Sequence, residues 1–384
     1  MGPAASFLQE RQRDTDMRQR RASLGFIFVT LFLDIMGIGL AVPVLPKLIE
    51  SFTNNDIASA SSVYGLLVSV YALMQFIFAP ILGSLSDQYG RRPVILLSLL
   101  GSGLDYLLLA FAPTLGWLFV GRIIAGITAA NITSVTAYIA DISPPEDRAR
   151  NFGLIGAAFG LGFILGPVLG GILGSINLRL PFLVVAGITL VNFLYGLLVL
   201  PESLSPEHRR GFSWARANPA GSLAALGRYP IVPSLTAVIV LAGLAQNSLQ
   251  SIWVLYTDYR FDWGPREVGF SLAVVGLAAV IVQGGLTGPI VAKLGEPRAI
   301  LFGLSISALS YFLYGFAGQA WLFYVIPFFS ALGFVSGPSA QALISRAVGA
   351  DEQGAVQGAL ASLTSLTGVV GPLLATGVFR YFIG

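Results

Sequence analysis

The sequence predicts an all-α, polytopic membrane protein, and three observations support this prediction. Hydrophobic residues make up 55% of the chain and charged residues only 11%, less than half of the roughly 25% that soluble domains carry. Eleven apolar stretches are long enough, at about 20 residues, to cross a bilayer as helices. Positive charges concentrate between alternate stretches, as expected for a chain with many crossings. The lipid bilayer is therefore the expected partner of most of the surface.

The eleven apolar stretches form two groups separated by a polar interval. The first group predicts six helices at 23–46, 62–84, 93–112, 115–139, 152–175 and 180–200. The second group predicts five helices at 231–256, 267–292, 299–316, 319–344 and 354–378. The chain is accordingly divided into a basic tail at 1–22, a first bundle at 23–200, a linker at 201–230 and a second bundle at 231–384.

The distribution of Lys and Arg predicts the orientation of the helices. If the N-terminus lies inside, sixteen of the 22 Lys and Arg residues fall in inside segments and five in outside segments, while Arg122 lies within a helix. This bias predicts a cytoplasmic N-terminus in the cell (inner) membrane. The first apolar stretch is too long for the hydrophobic region of a signal peptide, so it is interpreted as a membrane helix.

An internal repeat divides the helices into two related halves. Residues of the first half recur with similar neighbours at a constant offset of 205 positions, as Gly83 and Gly288, Gly90 and Gly295, Gly166 and Gly371, and Pro167 and Pro372. A constant offset over this span indicates two homologous six-helix bundles, as in transporters built from parallel repeats. The counterpart of the sixth helix would begin near position 385, so the twelfth helix is expected to be missing from this chain.

Three ionisable residues lie well inside predicted membrane helices, namely Asp34, Asp105 and Arg122. A charge in hydrocarbon costs at least about 2.5–3.5 kcal/mol, so such residues usually face a cavity or a partner. Asp105 and Arg122 each lie roughly 10 Å below the outer surface, at about 1.5 Å per helical residue, and could pair. Asp34 lies nearer the midplane, within reach of Arg122. We interpret all three as proton-coupling residues; for Asp105, a static pair that fixes helix packing is the alternative.

Uncharged polar residues also interrupt the apolar helices, which predicts a cavity for a small-molecule substrate. The candidate substrate contacts are Gln75, Thr128, Asn131, Gln246, Asn247, Gln250 and Gln341. Gln246 and Gln250 are four residues apart and therefore share a helix face. The alternative interpretation is that these side chains hydrogen-bond between helices.

The composition excludes several other classes of protein. The chain has no Cys and one His, His208, which argues against disulfides and a structural zinc site. Nucleotide-binding loops, metal clusters and catalytic constellations are not recognisable in the sequence, so we expect neither an enzyme nor a bound cofactor. The net charge of +3 comes from loops beside membrane helices and does not indicate nucleic-acid binding. We expect a monomer that uses the proton gradient as its energy source.

Four motifs resemble those of the major facilitator superfamily, and specifically of its twelve-helix drug:proton antiporters. The loop between the second and third helices carries Gly83, Asp87, Gly90, Arg91 and Arg92. The fourth helix carries Leu118, Arg122 and Gly126, and the first runs from Asp34 to Pro46. The fifth helix carries Gly162, Gly166, Pro167, Gly170 and Gly171, a pattern typical of antiporters. The chain looks most similar to the tetracycline-resistance efflux proteins.

This resemblance implies roles for several of these residues. Asp87 is implied to cap the dipole of the eleventh helix and so to latch the inside gate, with Arg91 and Asp141 in the same charge network. Arg122 is implied to take part in proton transfer. The resemblance as a whole implies export of drug-like molecules in exchange for protons.

The second half departs from the pattern of the tetracycline exporters. Ala279 and Ser307 occupy positions where those exporters carry a His and an Asp, respectively. We therefore expect the first half alone to carry protons, and we leave the substrate open. A carrier for nutrient uptake, such as a sugar carrier, is the alternative function.

Overall fold

The computed structural model describes residues 23–54, 56–144, 147–214, 231–349 and 353–384. Within these ranges, eleven helices are long and apolar enough to cross a membrane, which confirms the predicted helix count. We number them α1 to α11, and their bounds are Ser23–Ala41, Ile57–Tyr89, Arg91–Phe111, Leu115–Ile142, Arg150–Ile176, Leu180–Val199, Val232–Phe261, Pro265–Leu294, Glu296–Phe316, Leu322–Ala347 and Val356–Ile383. The described segments contain no strand, as the predicted all-α class requires.

Helix ends follow local chemistry that can be recognised in the sequence. Asp56 begins α2 by accepting hydrogen bonds from the backbone N–H groups of Ala58 and Ser59 at 3.1 and 3.2 Å, which satisfies two donors that have no partner inside the helix. Gly90 ends α2 with φ of +107°, and its repeat counterpart Gly295 ends α8 with φ of +74°. Glycine adopts these angles without steric cost, so both helices turn directly into the next one.

Three of these membrane-length helices are interrupted along their length. The α4 helix breaks at Ala130 and Asn131, α8 contains a π-helical segment at Val282–Leu286, and α10 contains a 3₁₀ segment at Ala331–Val335. Such breaks free backbone groups that neighbouring helices can satisfy. They also redirect the side chains that follow them, which an ideal helical repeat does not predict.

The helix ends define two faces of the molecule. Among the described residues, the charged-loop face holds the connections at 90, 143–144, 147–149, 200–214 and 295. The opposite face holds those at 42–54, 56, 112–114, 177–179, 262–264 and 317–321. A short helix at Leu45–Glu50 lies on the opposite face. Large apolar side chains such as Leu198 and Phe316, 87% and 84% exposed, cover the outer surface. A surface of this kind is suited to contact with lipid hydrocarbon.

The two halves meet along two pairs of antiparallel helices. In the first pair, Ser69 of α2 donates a hydrogen bond of 2.7 Å to the carbonyl of Val369 in α11. In the second pair, α5 and α8 approach so closely that a Cβ added at Gly171 would lie 3.1 Å from the Cα of Gly269. Both contacts lie in the part of the helices that leads to the opposite face.

Candidate functional site

A cavity of about 580 Å³ lies between the two halves, on the side of the α2–α11 contact that leads to the charged-loop face. Tyr71 and Asn247 line it near the middle of their helices, and Gln341 and Gln357 line it near the charged-loop ends of α10 and α11. The complete lining is Val68, Tyr71, Ala72, Gln75, Ile239, Asn247, Gln341, Gln357, Leu360, Ala361, Thr364, Ser365 and Gly368. The cavity is large enough for a drug-sized ligand.

The lining is neutral and combines apolar surface with amide and hydroxyl groups. None of these described lining residues carries a formal charge. Gln341 donates a hydrogen bond of 2.9 Å to Gln357, and Asn247 donates one of 3.0 Å to Thr367. These amides can exchange their hydrogen bonds within the protein for hydrogen bonds to a ligand. The chemistry suits a molecule with an apolar body and several hydrogen-bonding groups.

Three predicted substrate contacts, Gln75, Asn247 and Gln341, lie in this cavity. The other four predicted contacts are placed elsewhere. Gln246 accepts a long hydrogen bond of 3.5 Å from Tyr311, and the side chain of Gln250 is exposed.

Thr128 and Asn131 make contacts between helices, the alternative that the sequence left open. Thr128 is buried against α3, where a Cβ added at Gly101 would lie 2.6 Å from its methyl group. Asn131, at the break in α4, donates a hydrogen bond of 3.3 Å to Asp34.

The buried charges of the first half form a cluster beside the cavity. Arg122 pairs with Asp105 at 3.8 Å, and these residues are 9% and 1% exposed. Asp34 is held by Asn131, so the carboxylate paired with Arg122 in this conformation is that of Asp105. A buried pair of this kind needs its charges kept together, because an unpaired charge at this depth would be costly.

Tyr71 connects this charge cluster to the cavity. Its ring lies 5.8 Å from the Arg122 guanidinium carbon, in the range of a cation–π contact. Its buried hydroxyl has no hydrogen-bond partner within the described residues, although the same side chain lines the cavity. A ligand in the cavity can therefore reach a residue that also contacts the proton-coupling candidates. The sequence did not single out Tyr71, because a tyrosine in an apolar helix has no distinguishing pattern.

The predicted gating network is assembled at the charged-loop face. Arg91 pairs with Asp87 at 2.5 Å and with Asp141 at 3.3 Å. Arg92 donates a hydrogen bond of 2.8 Å to the carbonyl of Leu197. Gly83 packs close to Thr133 of α4. The implied contact of Asp87 with the start of the eleventh helix involves residues 350–352, which lie outside the described residues.

The beginning of the linker is bound to this network. Glu202 accepts hydrogen bonds of 2.8 and 3.3 Å from the backbone N–H groups of Arg91 and Arg92, at the start of α3. Ser203 donates a hydrogen bond of 2.9 Å to Asp141. The carboxylate of Glu202 also occupies the space where Gly90 would carry a Cβ. These anchors were not predicted, because Glu202 lies more than 100 residues, and Ser203 62 residues, from the groups they bind. The predicted tail at 1–22 and the rest of the linker at 215–230 lie outside the described residues.

The glycine motif of α5 forms close contacts on two sides. A Cβ at Gly162 would lie 2.7 Å from the side chain of Ile35 in α1, and a Cβ at Gly166 would lie 2.7 Å from the carbonyl oxygen of Met36. Gly170 lies against Leu40 of the same helix. Gly171 contacts α8 near Gly269, and Pro167 lies between Gly39 of α1 and Gly269 of α8. The motif therefore joins α5 both to the helix that carries Asp34 and to the other half.

Known proteins are similar to this chain over most of its length. The sequence profile of the family described as Major Facilitator Superfamily matches residues 27–372. Tetracycline resistance protein, class C, from Escherichia coli is 44% identical over 353 residues, which cover 92% of this chain and 88% of that protein. Tetracycline resistance protein, class G, from Vibrio anguillarum is 39% identical over 95% of this chain and 92% of that protein.

Solved structures show the same fold. The human organic anion transporter MFSD10 (TETRAN) is 26% identical, with a TM-score of 0.69 over 94% of each chain. The nucleoside transporter NupG is 13% identical, with a TM-score of 0.77 over 94% of this chain and 92% of that one, and it supports the fold alone.

Proposed function

Because this chain belongs to the Major Facilitator Superfamily and is a multi-pass membrane transporter, we propose that it exports small amphiphilic, drug-like molecules in exchange for protons. The proposed location is the cell (inner) membrane with a cytoplasmic N-terminus, as the distribution of Lys and Arg predicts. In this orientation the charged-loop face is cytoplasmic. The described conformation is then closed toward the outside, and its cavity extends toward the cytoplasm.

The observation that carries this proposal is the neutral cavity next to a buried cluster of acids and one arginine. The cavity offers amide and hydroxyl groups without charge, which suits an amphiphilic substrate. The adjacent cluster supplies groups that can gain and lose a proton away from the substrate. Tyr71 contacts both sites, so occupancy of one can alter the other.

We propose that Asp34 carries the exchanged proton. Its carboxylate accepts from Asn131, an uncharged donor, and Asp105 provides the charge that balances Arg122. Protonation of Asp34 removes a negative charge from a half-buried position of α1 without breaking the Arg122 pair. The protonated and ionised forms then favour different conformations of α1 and α5, which Gly162 and Gly166 hold in direct contact.

The two helix pairs between the halves, which we call the α2–α11 seam and the α5–α8 seam, allow alternating access. The α2–α11 and α5–α8 contacts close the opposite face in this conformation. In the alternate conformation these contacts open, and the network around Arg91 and Asp87 faces the other half at the charged-loop face. Rocking of two bundles around a central site is the general mechanism of transporters with this type of repeat.

Drug accumulation in cells that lack other pumps tests the proposal. Tetracycline is the first probe, because proteins similar to this chain are named for resistance to it. The wild type should lower accumulation, whereas Asp34→Asn or a protonophore should abolish this effect. Asp262→Asn, which alters an exposed carboxylate at the opposite face, is the matched control and should export normally. Export by Asp34→Asn at the wild-type rate would refute the role of Asp34, and increased accumulation would indicate uptake.

A further inference from the structure

A cluster of three charged residues joins the two halves at the opposite face, outside the transport site. The Lys47 ammonium lies 2.6 Å from Asp258 in α7 and 3.2 Å from Glu50 in the short helix 45–50. Lys47 and Glu50 belong to the first half and Asp258 to the second. The Lys47–Asp258 pair is therefore an ionic contact across the interface that must break when this face opens.

The charges in this triad do not balance. Two carboxylates share one ammonium, so the fully ionised triad has a net charge of −1. Glu50 and Asp258 are each 6% exposed, so water compensates little of this charge. One carboxylate oxygen of Glu50 is buried and has no hydrogen-bond partner within the described residues. Burial raises the pKa of Glu50 to about 7, against the lowering effect of Lys47.

The other charged side chains near the triad are engaged elsewhere. They include Asp56, Arg179, Arg260, Asp262 and Arg380, and Asp262 is exposed at the end of α7. Asp56 caps α2, Arg179 donates to backbone carbonyls, Arg380 donates to Ser62, and Arg260 is exposed. Tyr64 and Tyr256 adjoin the short helix as part of its apolar surroundings. Among the described residues, the charges that act on Glu50 are thus those of Lys47 and Asp258.

We propose that Lys47, Glu50 and Asp258 form a proton-binding latch, which takes up one proton when the opposite face closes and releases it when that face opens. Opening separates Asp258 from Lys47 and leaves a balanced Lys47–Glu50 pair in contact with water, where the carboxylate has an ordinary proton affinity. The closed form therefore binds the proton more tightly, and lower pH favours closure.

The direction of this effect agrees with the proposed function, on which the inference rests. In an exporter that exchanges substrate for protons, protons from outside must drive the return to the conformation open to the cytoplasm. A latch that closes the outer face on binding a proton promotes this step. It acts in addition to Asp34, which lies deeper in the first half.

Distance measurements between two spin labels test the latch. The chain has no native Cys, so Thr114→Cys and Gly318→Cys place unique labels on exposed loops of the two halves at the opposite face. Measured on the full chain in lipid nanodiscs without substrate, the ratio of closed to open forms should rise by about fivefold to tenfold per unit as the pH falls from 7 to 5. Glu50→Gln should raise this ratio at pH 8 by at least about tenfold.

A second variant should shift the equilibrium in the other direction. Asp258→Asn removes the ionic contact between the halves and also the excess negative charge, so the open form should increase at pH 5 and the pH response should become smaller, whereas Asp262→Asn should behave as the wild type. The latch is refuted if Glu50→Gln leaves the ratio at pH 8 unchanged or if Asp258→Asn remains as closed as the wild type at pH 5. Loss of drug export with the pH response retained would refute the proposed function and leave the latch supported.

Discussion

The α5–α8 seam allows a quantitative prediction for Gly171→Ala. A Cβ at this position would lie 2.5 Å from the carbonyl oxygen of Pro265 and 3.1 Å from the Cα of Gly269. Both neighbours are backbone atoms, so no side-chain rotation relieves the clash. The two helices must separate by roughly 1 Å, and overpacking of this kind costs about 1–3 kcal/mol.

This cost falls on the conformation described here and is absent once the seam has opened. The ratio of closed to open forms should therefore fall by about 5- to 150-fold. The Thr114 and Gly318 labels report this ratio directly. Gly187→Ala is the matched control, because a Cβ there has no neighbouring atom within 4 Å and should leave the ratio unchanged. If Gly171→Ala leaves the ratio of closed to open forms unchanged, the α5–α8 contact does not hold the opposite face closed.

Three further predictions concern stability and substrate binding. Asp105→Asn leaves Arg122 buried without its ion pair and should destabilise the protein by about 3–5 kcal/mol, which thermal unfolding measures. The double variant Asp105→Asn with Arg122→Gln should regain most of this stability. Equal losses of stability in the single and the double variant would contradict the pairing. Glu202→Ala removes the acceptor at the start of α3 and should cost about 1–2 kcal/mol, measured by the same assay, whereas the exposed Glu207→Ala should cost little. Tyr71→Phe should fold normally and weaken substrate binding several-fold by loss of one hydrogen bond, and unchanged affinity in a direct binding assay would exclude the hydroxyl as a contact.

The helices could be predicted from sequence because hydrophobic length is a local property. All eleven apolar stretches correspond to membrane-length helices, and the largest differences, of five residues, lie at both ends of α2 and at the C-terminal ends of α1, α7 and α11. The interruption of α4 at Asn131 could not be predicted in the same way. It depends on contacts with other helices, and a single polar residue does not show whether a helix continues through it.

The candidate site could be predicted in type but only partly in detail. Polar residues in apolar helices correctly indicate positions that need a partner, yet the partner is either a cavity or another helix. Gln75 and Asn247 line the cavity, whereas Thr128 packs against α3, and the sequence does not distinguish these outcomes. The pairing of Lys47 with Asp258 joins residues more than 200 positions apart, so it could be found only from the assembled halves.

The central claim is that substrate and protons move in opposite directions, and reconstituted proteoliposomes test it most directly. With an acidic lumen and a neutral exterior, labelled tetracycline should accumulate in the lumen, and an imposed tetracycline gradient should in turn drive protons the other way. Asp34→Asn should abolish both movements, and Asp262→Asn should preserve both. Tetracycline movement that is independent of the pH gradient, or in the same direction as the protons, would contradict proton-coupled export.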